Sequence, residues 1–193
     1  TARNQTVSVS DNDPTTPILS PHTSSIIPVK SGEPKKLHIC IPGEIYDPGR
    51  PSWVPGNPAG GKQGTPTDRT AGVPFNATVR ITDEYWNLTT SSAVVRIKTT
   101  DIYSPTTIEQ LVTSSAVVSI TLVSASPGVA DKVVFVEDID GVEPALATGR
   151  TQEVKVNPAS PSRLLVVLPG QIHTGGHPQG KTGSPSIQTA GVE

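Results

Sequence analysis

The chain has 193 residues, a net charge of −2 and only 34% apolar residues. With no basic excess it lacks the electrostatic footprint of a nucleic-acid or anionic-membrane binder, and it has no run of about 18 apolar residues that would cross a bilayer. Its 20 Pro and 17 Gly, few aromatics and many Ser, Thr, Val and Ile describe a turn-dense, all-β chain.

The chain does not start with Met and shows no signal peptide, so it reads as a processed product or an excerpt of something longer. NQTVSVSD (4–11) is the first predicted strand, ending in the D-x-D pair Asp11 and Asp13. The tract DPTTPILSPHTSS (13–25) is turn-rich and suits O-glycans. LHICI (37–41) is a continuous apolar run expected to form a buried strand. It holds Cys40, the only cysteine, which reads as a small buried hydrophobe and excludes an internal disulfide. Residues 43–73 form a long Gly/Pro-rich surface loop. FNATVRIT (75–82) alternates, with Phe75, Ala77, Val79 and Ile81 on one face. AVVRIKT (93–99), a weaker segment at Thr107–Val112, AVVSITLV (116–123), KVVFVED (132–138) and TQEVKV (151–156) complete six or seven short strands. RLLVVLPG (163–170) is a last apolar strand. Such a series, punctuated by Pro, Gly, Ser and Asp, predicts an all-β, Ig-like β-sandwich.

The chain repeats itself. Shifted by 127 positions, residues 1–45 fall on 128–172 without a gap: VSVSDND (7–13) meets VFVEDID (134–140), and KLHICIPGEI (36–45) meets RLLVVLPGQI (163–172). After an eight-residue insertion in the first copy, GKQGTPTDRTAGV (61–73) meets GKTGSPSIQTAGV (180–192). Residues 36–157 therefore form one complete unit, residues 1–35 the close of a preceding one, and residues 158–193 a linker and the opening strand of a following one.

GGHPQGKT (175–182) matches the phosphate-loop pattern G-x-x-x-x-G-K-T, but Gly183 and Pro185 oppose the helix that pattern requires. The aligned GNPAGGKQ (56–63) puts Gln63 in place of the hydroxyl. The match reads as a Gly-rich turn. His173 and His177 lie on the same loop, where the earlier copy has Asp47 and Arg50, and read as solvated in preference to metal-binding. His38 aligns with Leu165, which favours a strand residue over a catalytic base.

Asp11 and Asp13 align with Asp138 and Asp140. Carboxylates clustered at sandwich ends can hold calcium between modules, and Asp also forms turns through bonds to its own backbone. Turn formation is the preferred reading and calcium the alternative. Asn4, Asn76 and Asn87 head N-x-T sequons and are candidate glycan acceptors. No Ser/His/Asp arrangement and no paired carboxylates in a cleft pattern argue for an enzyme, and no cofactor is expected.

The blocks LLVVLPGQ, GKTGSPS, QTAGV and TVRITDEYWN resemble bacterial Ig-like repeats that occur in tandem in very large extracellular or surface proteins. The resemblance covers nearly the whole chain. It implies an extracellular stalk, adhesin arm or fibre element and supplies no catalytic residues. Unpaired apolar strands at both ends are an association hazard. The expected remedy is completion by strands of neighbouring subunits, reminiscent of donor-strand pilus assembly, giving a linear homopolymer on or outside the cell. Val7, Val9, Ile26, Ile27, Val29, Leu164, Val166 and Leu168 are the candidate interface. The alternative is a stalk or carbohydrate-binding repeat of a giant secreted adhesin, with Tyr46 and Trp53 as the sugar-stacking surface for glycans.

Overall fold

The structure is a computed structural model that describes residues 2–50, 60–126, 128–142 and 145–191. Among these residues every regular element is a strand, so the fold is all-β. None of them forms a helix long and apolar enough to cross a membrane.

The N-terminal segment contributes β1 (Ser8–Val9) and β2 (His22–Thr23), an antiparallel pair. The complete unit follows: β3 (Lys36–Cys40), β4 (Glu44–Tyr46), β5 (Lys62–Gly64), β6 (Arg69–Thr70), β7 (Phe75–Thr82), β8 (Ser92–Thr99), β9 (Ile108–Thr113), β10 (Ser115–Ile120), β11 (Ala130–Lys132), β12 (Val134–Asp138), β13 (Gly149–Arg150) and β14 (Val154–Asn157). The C-terminal segment adds β15 (Ile172–His173) and β16 (Lys181–Thr182), again antiparallel.

Two sheets of the complete unit face each other across one core. One has the order β10-β7-β3, the other β13-β12-β8-β9. β7 alternates as its sequence predicts, with Phe75, Ala77, Val79 and Ile81 buried. Leu37, Ile39 and Ile41 join from β3 and its exit, Ala93, Val95 and Ile97 from β8, and Val134 and Val136 from β12. Each such Phe, Leu, Ile or Val side chain contributes about 1.5–3 kcal/mol by leaving water. A smaller sheet, β11-β14-β6, closes one edge with Val154 and Val156 facing the same core, and β14 runs parallel to β6.

The run from Ile108 to Ile120 belongs to both sheets: β9 pairs with β8 and β10 with β7. Ser114 makes the crossing, with a φ of 64° that turns the chain between layers. Its hydroxyl donates to the Thr89 carbonyl at 2.6 Å and its amide to the Ser91 carbonyl at 2.7 Å, which holds the bend.

The reverse face of β3 is also sealed. His38 and Cys40 point away from the main core and are covered by the β4–β5 hairpin and Trp86. The segment expected to be one long surface loop therefore carries β4, β5 and β6 and forms a second, polar and aromatic core layer.

Candidate assembly surfaces

The N-terminal segment is a structural duplicate of the end of the complete unit. Ser8 pairs with Thr23 and Val9 with His22, as Phe135 pairs with Arg150 and Val136 with Gly149, 127 positions on. The Ser24 amide donates to the Val7 carbonyl at 2.8 Å, and its counterpart Thr151 to Val134 at 3.0 Å. The Ser24 hydroxyl accepts from the Val7 amide as the Thr151 hydroxyl does from Val134.

The aspartates repeat too. Asp11 accepts from the amides of Asp13 at 2.9 Å and Leu19 at 3.0 Å; Asp138 accepts from those of Asp140 at 3.3 Å and Leu146 at 3.0 Å. Asp13 accepts from Thr15, and Asp140 from Val142 and Val94. These backbone bonds hold the Asp11 and Asp13 carboxyls below the usual range. All four carboxylates accept hydrogen bonds from backbone N–H groups, the arrangement of turn-forming aspartates. Among the described residues no three His, Cys, Asp or Glu come together as a metal site.

The two hairpins differ in what covers them. Val134 and Val136 are 0% exposed, whereas Val7 and Val9 are 64% and 65% exposed. Leu19, Ile26, Ile27 and Val29 are exposed as well.

The C-terminal segment duplicates the front of the unit. Ile172 pairs with Thr182 and His173 with Lys181, as Ile45 pairs with Gln63 and Tyr46 with Lys62. The Ser186 amide donates to the Pro169 carbonyl at 2.7 Å, and Thr67 to Pro42 at 2.9 Å. Leu164, Val166 and Leu168 are exposed, while Ile39 and Ile41, the counterparts of Val166 and Leu168, are buried.

Lys62 lies wholly inside the complete unit. Its ammonium donates to the Ile39 carbonyl, to the Arg150 carbonyl at 3.0 Å, and to both Glu44 oxygens at 3.2 and 3.3 Å. Burial pushes its pKa down, and the Glu44 carboxylate opposes that shift. Glu44 also accepts from the amides of Ile41 and Gln152, so front and rear of the unit meet on this pair. Lys181 repeats part of the pattern, donating to the Val166 carbonyl at 2.9 Å and to Gln171 Oε1 at 3.0 Å. The lysine of the phosphate-loop match is thus engaged with protein oxygens in the β15–β16 hairpin. The sequence contained one signal for this cluster, the Gly-Lys step kept in both copies, but nothing local marked Lys62 as buried.

Both flanking segments are tied to the unit. Asn87 Oδ1 accepts from the Ala2 amide at 2.7 Å, and Asn87 is held by Asp83, which also accepts from the Gly32 amide at 2.9 Å. Burial would raise the Asp83 pKa, but its hydrogen bonds from Asn87, Gly32 and Tyr85 outweigh it and the net shift is downward. At the other end the rings of Tyr103 and His177 meet edge to face at 5.4 Å. Asp101 shapes that end by accepting from Val123, Ser124 and Tyr103.

Asn87 is removed from the glycan acceptors. It is buried and its amide nitrogen donates to both Asp83 oxygens. Asn4 and Asn76 are exposed. Tyr46 is half-buried: its hydroxyl donates to the Trp86 carbonyl, while Arg80 lies 4.5 Å from its ring and His38 stands edge-on at 5.1 Å. Trp53 lies outside the described residues. His38 is buried and neutral, since burial first, then Lys62 and Arg80, lowers its pKa to about 3. Cys40 Sγ lies 3.8 Å from His38 Nε2, and burial raises the thiol's pKa. His173 is an exposed residue of β15, and His177 Nδ1 accepts from the Gln179 amide.

No family model, no curated protein and no solved structure matches this chain.

Proposed function

We propose that the chain is a structural, non-catalytic element of an extracellular bacterial filament, built from Ig-like units whose incomplete ends are finished by β-structure of neighbouring units. The observation that carries this reading is the contrast within the repeat. The same closing hairpin, in the same register, is covered in the complete unit and bare in the N-terminal segment, and Leu164, Val166 and Leu168, the counterparts of buried Leu37, Ile39 and Ile41, are exposed in the C-terminal one. Exposed contiguous apolar strand faces are the mark of an interaction surface.

The neighbour's composition follows from the strand inventory. A C-terminal segment and an N-terminal segment brought together supply counterparts of β3–β6 and β11–β14. They supply none of β7–β10, of which β7 and β8 are inner strands of the two main sheets. A full neighbour must therefore bring those central strands, which favours units following one another in series. Asn4 and Asn76, exposed on the N-terminal segment and on β7, are the sequons such a surface protein would present for glycans.

Negative-stain electron microscopy of the native protein, isolated from its source, tests the reading. Regular fibres with a longitudinal repeat the size of one sandwich are expected. Discrete monomeric particles, with slow amide exchange over residues 2–10 and 163–191, would overturn it. For the carbohydrate-binding alternative, Tyr46 is half-buried and Arg80 and His38 already lie against its ring.

A further inference from the structure

We propose that the tip of the β15–β16 hairpin is a clasp and that Tyr103 and Ser124 of the complete unit form its seat, so that a following unit is held at one angle by two points and not by its linker alone. The contact is internal to this chain; its consequence, a stiff fibre, rests on the reading above.

One carboxylate fixes the seat. Asp101 is buried and accepts from the amides of Val123 at 2.6 Å, Ser124 at 2.8 Å and Tyr103 at 3.2 Å, and from the Ser124 hydroxyl at 2.6 Å. Gly176 lies so close to Ser124 that a Cβ there would stand 2.2 Å from its Oγ and 3.0 Å from its Cα. The Ser124 hydroxyl cannot turn away without giving up its bond to Asp101. A Cβ on the adjacent Gly175 would meet nothing within 4 Å. Beside this close approach, His177 sets its ring edge-on to Tyr103, with centroids 5.4 Å apart and planes at 88°.

The clasp is a feature of the repeat. The His177 amide donates to the Thr174 carbonyl at 3.3 Å, the Gly180 amide to His177 at 2.8 Å, and the Thr174 amide to Gly180 at 2.9 Å. In the first copy the Arg50 amide donates to Asp47 at 3.2 Å, Gly61 to Arg50 at 3.0 Å, and Asp47 to Gly61 at 2.8 Å. Gly176 and Gly49 occupy one repeat position and share a left-handed backbone, with φ of 81° and 84°. The His177 ring is further oriented by the Gln179 amide, which donates to its Nδ1 at 3.1 Å. Both halves of the contact are therefore shaped by their own units. The linker NPASPS (157–162) is a single tether, and small domains joined only by a tether swing relative to one another by default. A second point of contact away from the tether removes that swing.

The test is a spin-label distance measurement across the joint, by double electron–electron resonance on this chain. Labels sit at Val117→Cys and Ile172→Cys, both exposed positions, in a Cys40→Val background, since Val167 is the residue at that repeat position. A narrow distance distribution is expected. Gly176→Asn tolerates a left-handed backbone but carries the clashing Cβ, so it should broaden the distribution, whereas Gly175→Ala should not. Tyr103→Ala and His177→Ala should each lower the ratio of held to swinging chains about two- to tenfold, the worth of one edge-to-face ring pair, and the double variant should lower it no further. A broad distribution in the parent chain overturns the clasp, and so does a narrow one that Gly176→Asn and Tyr103→Ala leave unchanged. Neither result bears on whether fibres form, which the micrographs decide separately.

Discussion

Lys62 and Glu44 face each other at 3.2 Å with both side chains fully closed to solvent. The pair joins β4 to β5 and, through the carbonyl of Arg150 and the amide of Gln152, joins the front of the unit to its rear. A buried pair is a modest source of net stability, but removing one partner strands the other. Lys62→Met should therefore cost about 3–5 kcal/mol in denaturant unfolding. Combining it with Glu44→Gln should recover part of that loss, as a double-mutant cycle with strong coupling. Additive losses would show the pair to be electrostatically idle.

His38 makes stability fall on acidification. It is buried and neutral, with its folded pKa lowered from 6.5 to about 3. Between those values the unfolded chain binds the proton and the folded one does not. Stability is thus full above about pH 6.5 and drops as pH falls toward 3, by up to about 1.4 kcal/mol per pH unit. Asp83 and Asp101, held below 3.8, add their own losses only at lower pH. His38→Leu, the residue found at the repeat position as Leu165, should flatten the limb from pH 6.5 to 4 in urea titrations. An unchanged slope would assign that limb to other groups.

The two copies of the closing hairpin offer a matched comparison. Val134→Ala removes a fully buried side chain and should destabilise the unit by about 2–3 kcal/mol. Val7→Ala, at the same repeat position, should leave the unfolding midpoint of the isolated chain unchanged, because Val7 is exposed. Equal effects would mean that the N-terminal hairpin is covered in solution.

Trp86 packs onto Gly61, which has a φ of 62°; a Cβ there would lie 2.6 Å from the indole Cγ. Gly61→Ala meets both backbone strain and this clash. It should cost more than about 1 kcal/mol and shift the tryptophan emission. A neutral variant would show that Trp86 yields freely.

Asp83 fastens the N-terminal segment through Gly32 and through Asn87, which accepts from Ala2. Asp83→Ala should cost about 2–3 kcal/mol through several lost bonds to a charged group. It should also speed hydrogen exchange of the Gln5 and Ile27 amides, the bridge nearest that anchor. Unaltered exchange at those amides would place the restraint elsewhere.

The amino-acid sequence by itself determined the main strands of the complete unit, the repeat and its phase, but the strand expected over 163–170 does not form and β4–β6 lie in what read as a loop. Alternation at Phe75, Ala77, Val79 and Ile81 is a local property of an extended chain with one face in a core, so it is readable without any partner. The shift of 127 placed Asp11 on Asp138 and Val7 on Val134, and the duplicated hydrogen bonds follow from that likeness. Tertiary structure alone decided which polar residues are closed in. Lys62 reads as a surface cation until Arg150, 88 residues away, caps it, and Asn87 reads as a sequon until Asp83 and Ala2 occupy its amide group. Tyr46 is likewise partly engaged, by Arg80 and His38 on neighbouring strands. Hydrophobic period is written along the chain, whereas the burial of a charge or an amide depends on partners that only the folded topology brings within 3 Å or so.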